Sequence, residues 1–168
     1  YKDKLDMVFK KYKPDFVINF AAESHVDRSI TNPSIFIETN ILGTQNLIEL
    51  SIEYGVQRFV QISTDEVYGD IGIDDSPFTE DSPLDPSSPY SASKAASDLL
   101  VLAAHRTFDF PGIVTRCSNN YGPQQFPEKL VPVIIKKVIN NEHIPIYGDG
   151  KNIRDWIHVE DHCKGLWL

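Results

Sequence analysis

Two cysteines and one methionine are all the sulfur that this 168-residue chain carries. Cys117 and Cys163 are too few for a disulfide framework, so reduced thiols in a cytosol are the expectation. No apolar run approaches the roughly twenty residues that a membrane span needs, and no secretory leader is expected. Positive charge is also scarce. The 16 Lys and Arg stand against 24 Asp and Glu, and the net charge of −8 argues against a nucleic-acid surface. It leaves room for an anionic ligand held by a local Arg or Lys. Internal repeats and low-complexity tracts are absent. The chain starts at Tyr1 rather than Met and runs to Leu168 inside an apparent helix, so it reads as a piece of a longer protein. Its 41% hydrophobic residues suffice for one core and at most one and a half domains.

What is present is an alternation of helix and strand signals. Leu5, Val8 and Phe9 form an amphipathic stripe over residues 2–12, closed by Pro14. Residues 15–22 are nearly all apolar, as in a strand buried on both faces. Residues 23–31 read as the loop leaving it, and 33–54 as one long helix with Asn32 as cap, Pro33 in the first turn and Gly55 after the end. A second buried strand covers 58–64. Residues 69–89 lack periodicity and form a long loop of the kind that serves as a lid or binding loop. Ser88-Pro89 opens a helix to about residue 108, and 113–117 is a third buried strand. This order predicts a parallel α/β sheet with right-handed crossovers. Past Tyr121 the pattern changes to a helix near 127–141, extended pieces at 144–147 and 153–157, and a last helix from Val159. Two regions follow, 1–121 as core and 122–168 as a smaller ligand-binding lobe.

The chemistry centres on Ser63-Thr-Asp-Glu-Val-Tyr-Gly69, placed at the carboxyl end of the second strand, where ligands bind in open parallel sheets. Asp65 and Glu66 are adjacent carboxyls outside any charge run, able to divide the work of acid and base that elimination of water requires. Tyr90 and Lys94 lie one helical turn apart, so they share a face. A lysine ammonium beside a phenol favours the phenolate, which can take an alcohol proton as a hydride leaves the same carbon. His25, just past the first strand, has two readings, a packed loop residue or a ligand contact. His158 and His162 flank Glu160 without the order of a zinc-protease motif, and a structural role is expected. Arg116, Lys129 and Arg154 are candidates for anionic groups or for surface ion pairs.

Ser63–Gly69 joined to Tyr90-x-x-x-Lys94 resembles the extended short-chain dehydrogenase/reductase family, the NAD-dependent epimerases and dehydratases. Ala21–Ile30, Thr115–Pro123, Phe126–Leu130 and Tyr147–Trp156 extend the resemblance over essentially the whole chain. The Thr-Asp-Glu triplet is similar to that of the members that dehydrate dTDP-glucose. The resemblance implies a Rossmann-like doubly wound parallel sheet and a tightly held NAD. It implies catalysis by Thr64, Asp65, Glu66, Tyr90 and Lys94, with dTDP-glucose becoming its 4-keto-6-deoxy sugar for deoxysugars such as rhamnose. Cofactor contacts carried over by motif are Ala21, Ala22, Ser24, Tyr90, Lys94, Cys117 and Asn120. Substrate contacts are Ser24, His25, Thr64, Asn119, Lys129, Leu130, Pro145, Tyr147 and Arg154, the last on the diphosphate. No metal is implied. The family also implies a cytoplasmic homodimer that packs helices 33–54 and 89–108 into a four-helix bundle. One departure is plain: the family's Gly-rich βαβ turn, which seats the pyrophosphate, is not in this sequence, and the piece alone is expected to be inactive. Two alternatives remain, another nucleotide sugar such as UDP-glucose for a dehydratase or epimerase, and a non-catalytic NAD-binding scaffold.

Overall fold

A computed structural model describes residues 1–146 and 148–168. They form two compact units, Tyr1–Arg116 and Cys117–Leu168.

The first unit is built on a three-stranded sheet of order β1-β2-β3, with β1 at Phe16–Asn19, β2 at Arg58–Thr64 and β3 at Gly112–Cys117. β1 and β2 run parallel, Phe16 opposite Arg58 and Asn19 opposite Gln61. Helix α1 (Lys2–Tyr12) ends at Lys13 in the left-handed region, immediately before Pro14. β2 is the sheet's centre and is buried from Phe59 to Thr64. Its flanks are drier in sequence than in space. β1 is half the predicted length, and Phe16 and Ile18 are exposed on it in the residues described. β3 is half-buried rather than buried in the residues described.

The segment after β1 is not wholly loop. Residues Val26–Thr31 form a short helix, α2, whose Ser29 hydroxyl turns back onto the Val26 carbonyl and is fully buried. The next helical stretch is not one regular helix either. It runs as α3 (Pro33–Phe36), a π-helical turn (Ile37–Leu42) and α4 (Gly43–Glu53). Asn32 precedes it without a side-chain cap bond, whereas Gly55 takes the expected left-handed conformation after it. Helix α5 (Pro89–Phe108) starts where Ser88-Pro89 places it. The Ser88 hydroxyl accepts from the Ser91 amide, and the Ser91 hydroxyl accepts from the Ser88 amide, a reciprocal capping box. Ile48, Phe59, Val101, Ala104 and Phe110 form the main core between α4, β2 and α5. Phe9, Leu50 and Val56 fasten α1 to α4.

The second unit pairs β4 (Asn119–Tyr121) with β5 (Trp156–His158) in parallel and carries helices α6 (Leu130–Ile139) and α7 (Val159–Trp167). α6 is shorter than the predicted 127–141 and residues 144–146 form no strand, while only the end of the predicted 153–157 piece pairs. Among the described residues, no helix is long and apolar enough to cross a membrane.

Candidate active site

β2 ends at Thr64, and the chain turns at once into a 3-10 helix, Asp65–Tyr68. The Thr64 hydroxyl caps this turn, accepting from the Glu66 amide at 3.3 Å and donating to the Asp65 carboxylate at 3.2 Å. A carboxyl-rich turn suits the positive end of a helix N-terminus. Asp65 and Glu66 stay half-buried, while the next two residues, Val67 and Tyr68, plunge into a cluster with Ala95 of α5. The long loop after Gly69 is pinned over this turn. Phe78 stacks on Tyr68 at 5.2 Å, and the Asp85 amide donates to the Val67 carbonyl at 3.0 Å.

Tyr90 and Lys94 come from the first turns of α5, and both are buried. The Tyr90 ring meets Phe36 edge-on at 6.4 Å. The Lys94 ammonium donates to the Ile62 carbonyl at 2.5 Å, which ties α5 to β2 two residues short of Thr64. Thr64, Asp65, Glu66, Tyr90 and Lys94 therefore lie in one unit, on β2, the 3-10 turn and the α5 helix packed against both. Tyr90 and Lys94 lie one turn apart on α5, with the Lys94 ammonium anchored on a backbone carbonyl of β2.

Three polar features of the site were not read from the sequence. Asn40, in the π-helical turn, accepts from the Glu23 amide at 2.9 Å and donates to the Glu23 carbonyl at 3.0 Å and to Ser93 Oγ at 2.8 Å. Its own carbonyl takes the hydroxyls of Ser97 and Thr44. One asparagine thus clamps the loop Ala21–His25 and α5 together. Asn19 on β1 bridges Thr44 and Gln61 and accepts from the Ala21 amide. Asp98 binds Ser63 and Arg116, so Arg116 is not a ligand-facing cation: it is spent on Asp98 and on the Tyr68 hydroxyl. The available signal was an Asn inside a helical stretch and Asn19 and Gln61 inside apolar strands, polar residues where a core was expected.

His25 stands at the start of α2 and is half-buried, whereas Ser24 and Ala21 are exposed and Ala22 half-buried. The remaining named residues belong to the second unit. Asn120 donates to Cys117 Sγ at 3.2 Å and accepts from His162 Nδ1 at 2.8 Å. Burial holds the His162 imidazole below its ordinary range. His158 Nδ1 caps α7 by accepting from the Glu160 amide. Asn119 lies on β4 opposite Trp156, Lys129 precedes α6, and Leu130, Pro145 and Arg154 are exposed. Arg154 donates to its neighbour's carbonyl, at Ile153. Tyr147 lies outside the described residues.

The sequence profile of the GDP-mannose 4,6 dehydratase family matches residues 2–168. This chain belongs to that family. Within the GDP-mannose 4,6 dehydratase family and its kin it is 56% identical to the dTDP-glucose 4,6-dehydratase of Neisseria meningitidis, over 98% of this chain and 49% of that protein. The crystal structure of the Streptomyces venezuelae dTDP-glucose 4,6-dehydratase, with NAD and TYD bound, superposes with a TM-score of 0.92 at 49% identity, over 99% of this chain and 50% of that one. The Thermus thermophilus UDP-glucose 4-epimerase in complex with NAD gives a TM-score of 0.94 at 29% identity, over 100% of this chain and 57% of that one. The chain spans about half the length of the curated relatives it matches. The expected Rossmann-like, parallel α/β class is that of these family structures.

Proposed function

We propose that this chain carries the acid–base machinery of an NAD-dependent nucleotide-sugar dehydratase that converts dTDP-glucose to its 4-keto-6-deoxy derivative. The observation that carries the reading is the Thr64-capped turn of Asp65 and Glu66, tethered through Ile62 to the helix that bears Tyr90 and Lys94. The relatives named above supply the substrate class. Tyr90 accepts the proton of the sugar's 4-hydroxyl, with Lys94 steadying the phenolate and Thr64 bonding the same oxygen. The ketone formed at C4 makes the neighbouring C5 hydrogen acidic. Glu66 removes that proton, and Asp65 protonates the departing 6-hydroxyl, so one water leaves across C5 and C6. Glu66 then returns its proton to C5. When bound, NAD accepts hydride from C4 and gives it back at C6, leaving no net change in redox state.

The residues present fit part of such a cofactor. The Ala21-Ala22 loop at the end of β1 carries no bulky side chain, and its backbone is held by Asn19 at Ala21 and by Asn40 at the following Glu23, so a flat ligand can approach closely. Ala21, Ala22, Ser24, Tyr90, Lys94, Cys117 and Asn120 are the proposed cofactor contacts. Ser24, His25, Thr64, Asn119, Lys129, Leu130, Pro145 and Arg154 are the proposed nucleotide-sugar contacts. A second copy of the chain is the proposed partner, supported by Leu42, Ile52, Leu99 and Phe108, exposed on α4, α5 and the π-helical turn. The thiols of Cys117 and Cys163 suit a cytoplasmic setting.

The test is mass spectrometry of products after the full-length protein meets dTDP-glucose or UDP-glucose without added NAD. Loss of one water from dTDP-glucose is expected, and D65N should bind the sugar while losing water far more slowly. Loss of water from UDP-glucose alone would change the substrate; an unchanged mass with both sugars would overturn the dehydratase reading.

A further inference from the structure

Tyr90, Lys94 and Asp98 are spaced by four on α5, a ladder that rises about 12 Å. The first two rungs do the chemistry proposed above, and the third has no part in it. Asp98 is nonetheless completely buried. A buried carboxylate is costly unless paired, and an apolar residue of similar volume often serves stability as well. Here it is met from two strands. Arg116 Nε of β3 donates to Oδ2 at 2.9 Å, and the Ser63 hydroxyl of β2 donates to the same oxygen at 3.0 Å. The Arg116 guanidinium continues to the Tyr68 hydroxyl at 2.7 Å, at the far end of the turn that carries Asp65 and Glu66. Oδ1 is buried without a hydrogen-bond partner among the described residues. Burial lifts the Asp98 carboxyl above its ordinary range, and the bonds from Arg116 and Ser63 and the charge of Lys94 pull it back only in part.

We propose that Asp98 is a positioning residue: its carboxylate balances the positive charge along the Tyr90–Lys94 face of α5 and, through Arg116 and Tyr68, holds the Asp65–Glu66 turn against that face. The identity of the reaction affected rests on the dehydratase reading, whereas the charge coupling does not. Lys94 from α5, Arg116 from β3 and Ser63 from β2 are the groups that face Asp98, and Tyr68 from the 3-10 turn reaches it only through Arg116. The helical segments from α2 to α4 also pack on α5, where the π-helical turn offers Asn40 to Ser93 and Ser97. Their charged residues Asp27, Arg28, Glu38, Glu49 and Glu53 are exposed. Removing the negative charge makes the surroundings of Tyr90 more positive and favours its phenolate. Removing Arg116 does the opposite.

The experiment is an ultraviolet titration of the phenolate in the full-length protein, taken in each background as the difference from its Y90F counterpart, alongside the pH profile of kcat. D98N is expected to move the Tyr90 titration down by about half to one pH unit, the size of a unit charge acting over this distance. R116Q should move it up, and D98N/R116Q should return it close to the parent. The limb of the kcat profile governed by Tyr90 should follow, with KM little changed. A merely structural Asp98 would lower the folded fraction and leave every titration in place, and that result overturns the proposal. If D98N does not fold, an unmoved titration in R116Q overturns it equally. Shifts in a protein that dehydrates neither sugar would uphold the coupling and refute the dehydratase reading.

Discussion

The ammonium of Lys94 donates to the main-chain carbonyl of Ile62 across 2.5 Å, joining the helix of the proposed base to the strand that delivers the proposed acid. The contact does two things at once. It fixes the distance between α5 and the end of β2, and it keeps a cation one turn from Tyr90. K94M should retain the fold, because a Met fills a similar volume, and should lower kcat of the full-length protein roughly a hundredfold to ten-thousandfold. K94R should not rescue it, since the larger guanidinium has no room at a site only 4% exposed. Steady-state kinetics with circular dichroism of each variant separates the two effects.

Asn40 carries the backbone of Glu23 on one side and Ser93 on the other. N40A leaves those groups without their partner, and a buried polar group so stranded costs about 2 kcal/mol. Urea denaturation should show that loss, and NAD should bind more weakly because the Ala21–His25 loop is released.

Gly69 has φ 86°, and a Cβ placed there would collide with the Asp85 carbonyl oxygen. G69A therefore strains the turn and pushes away the strap that Phe78 and Asp85 lay over Tyr68. A destabilisation of about 1–3 kcal/mol is expected. Limited proteolysis within residues 70–88 should quicken relative to the parent.

His162 donates through Nδ1 to the Asn120 side-chain oxygen while burial disfavours its charged form. Its folded-state value is depressed, so the unfolded chain binds the proton more readily. Stability of the second unit should then be full above the unfolded value of about 6.5 and decline as pH falls through it. Thermal melts at pH 7 and pH 5 should differ by less in H162Q than in the parent.

Local chemistry made much of this legible before any coordinates. Ser88-Pro89 sets the start of α5 because a hydroxyl and a ring without an N–H satisfy a helix end on their own. β2 shows in its run of β-branched and aromatic residues, and the nearness of Thr64, Asp65 and Glu66 is simple chain adjacency. Where the reading missed, the deciding partner was distant in sequence. Val26–Thr31 looks like polar loop until Ser29 is seen packed inside.

By itself, then, the sequence determined the alternating α/β order, the helix that presents Tyr90 and Lys94 on one face, and the turn that follows β2. Those depend on interactions within a few residues. Only the tertiary structure decided that Asn40 clamps a loop 17 residues away in sequence, that Arg116 faces inward, and that Asp98, the last rung of the ladder, is buried. A polar side chain has no preferred partner until the fold brings one within hydrogen-bond distance, and burial then makes that partner obligatory.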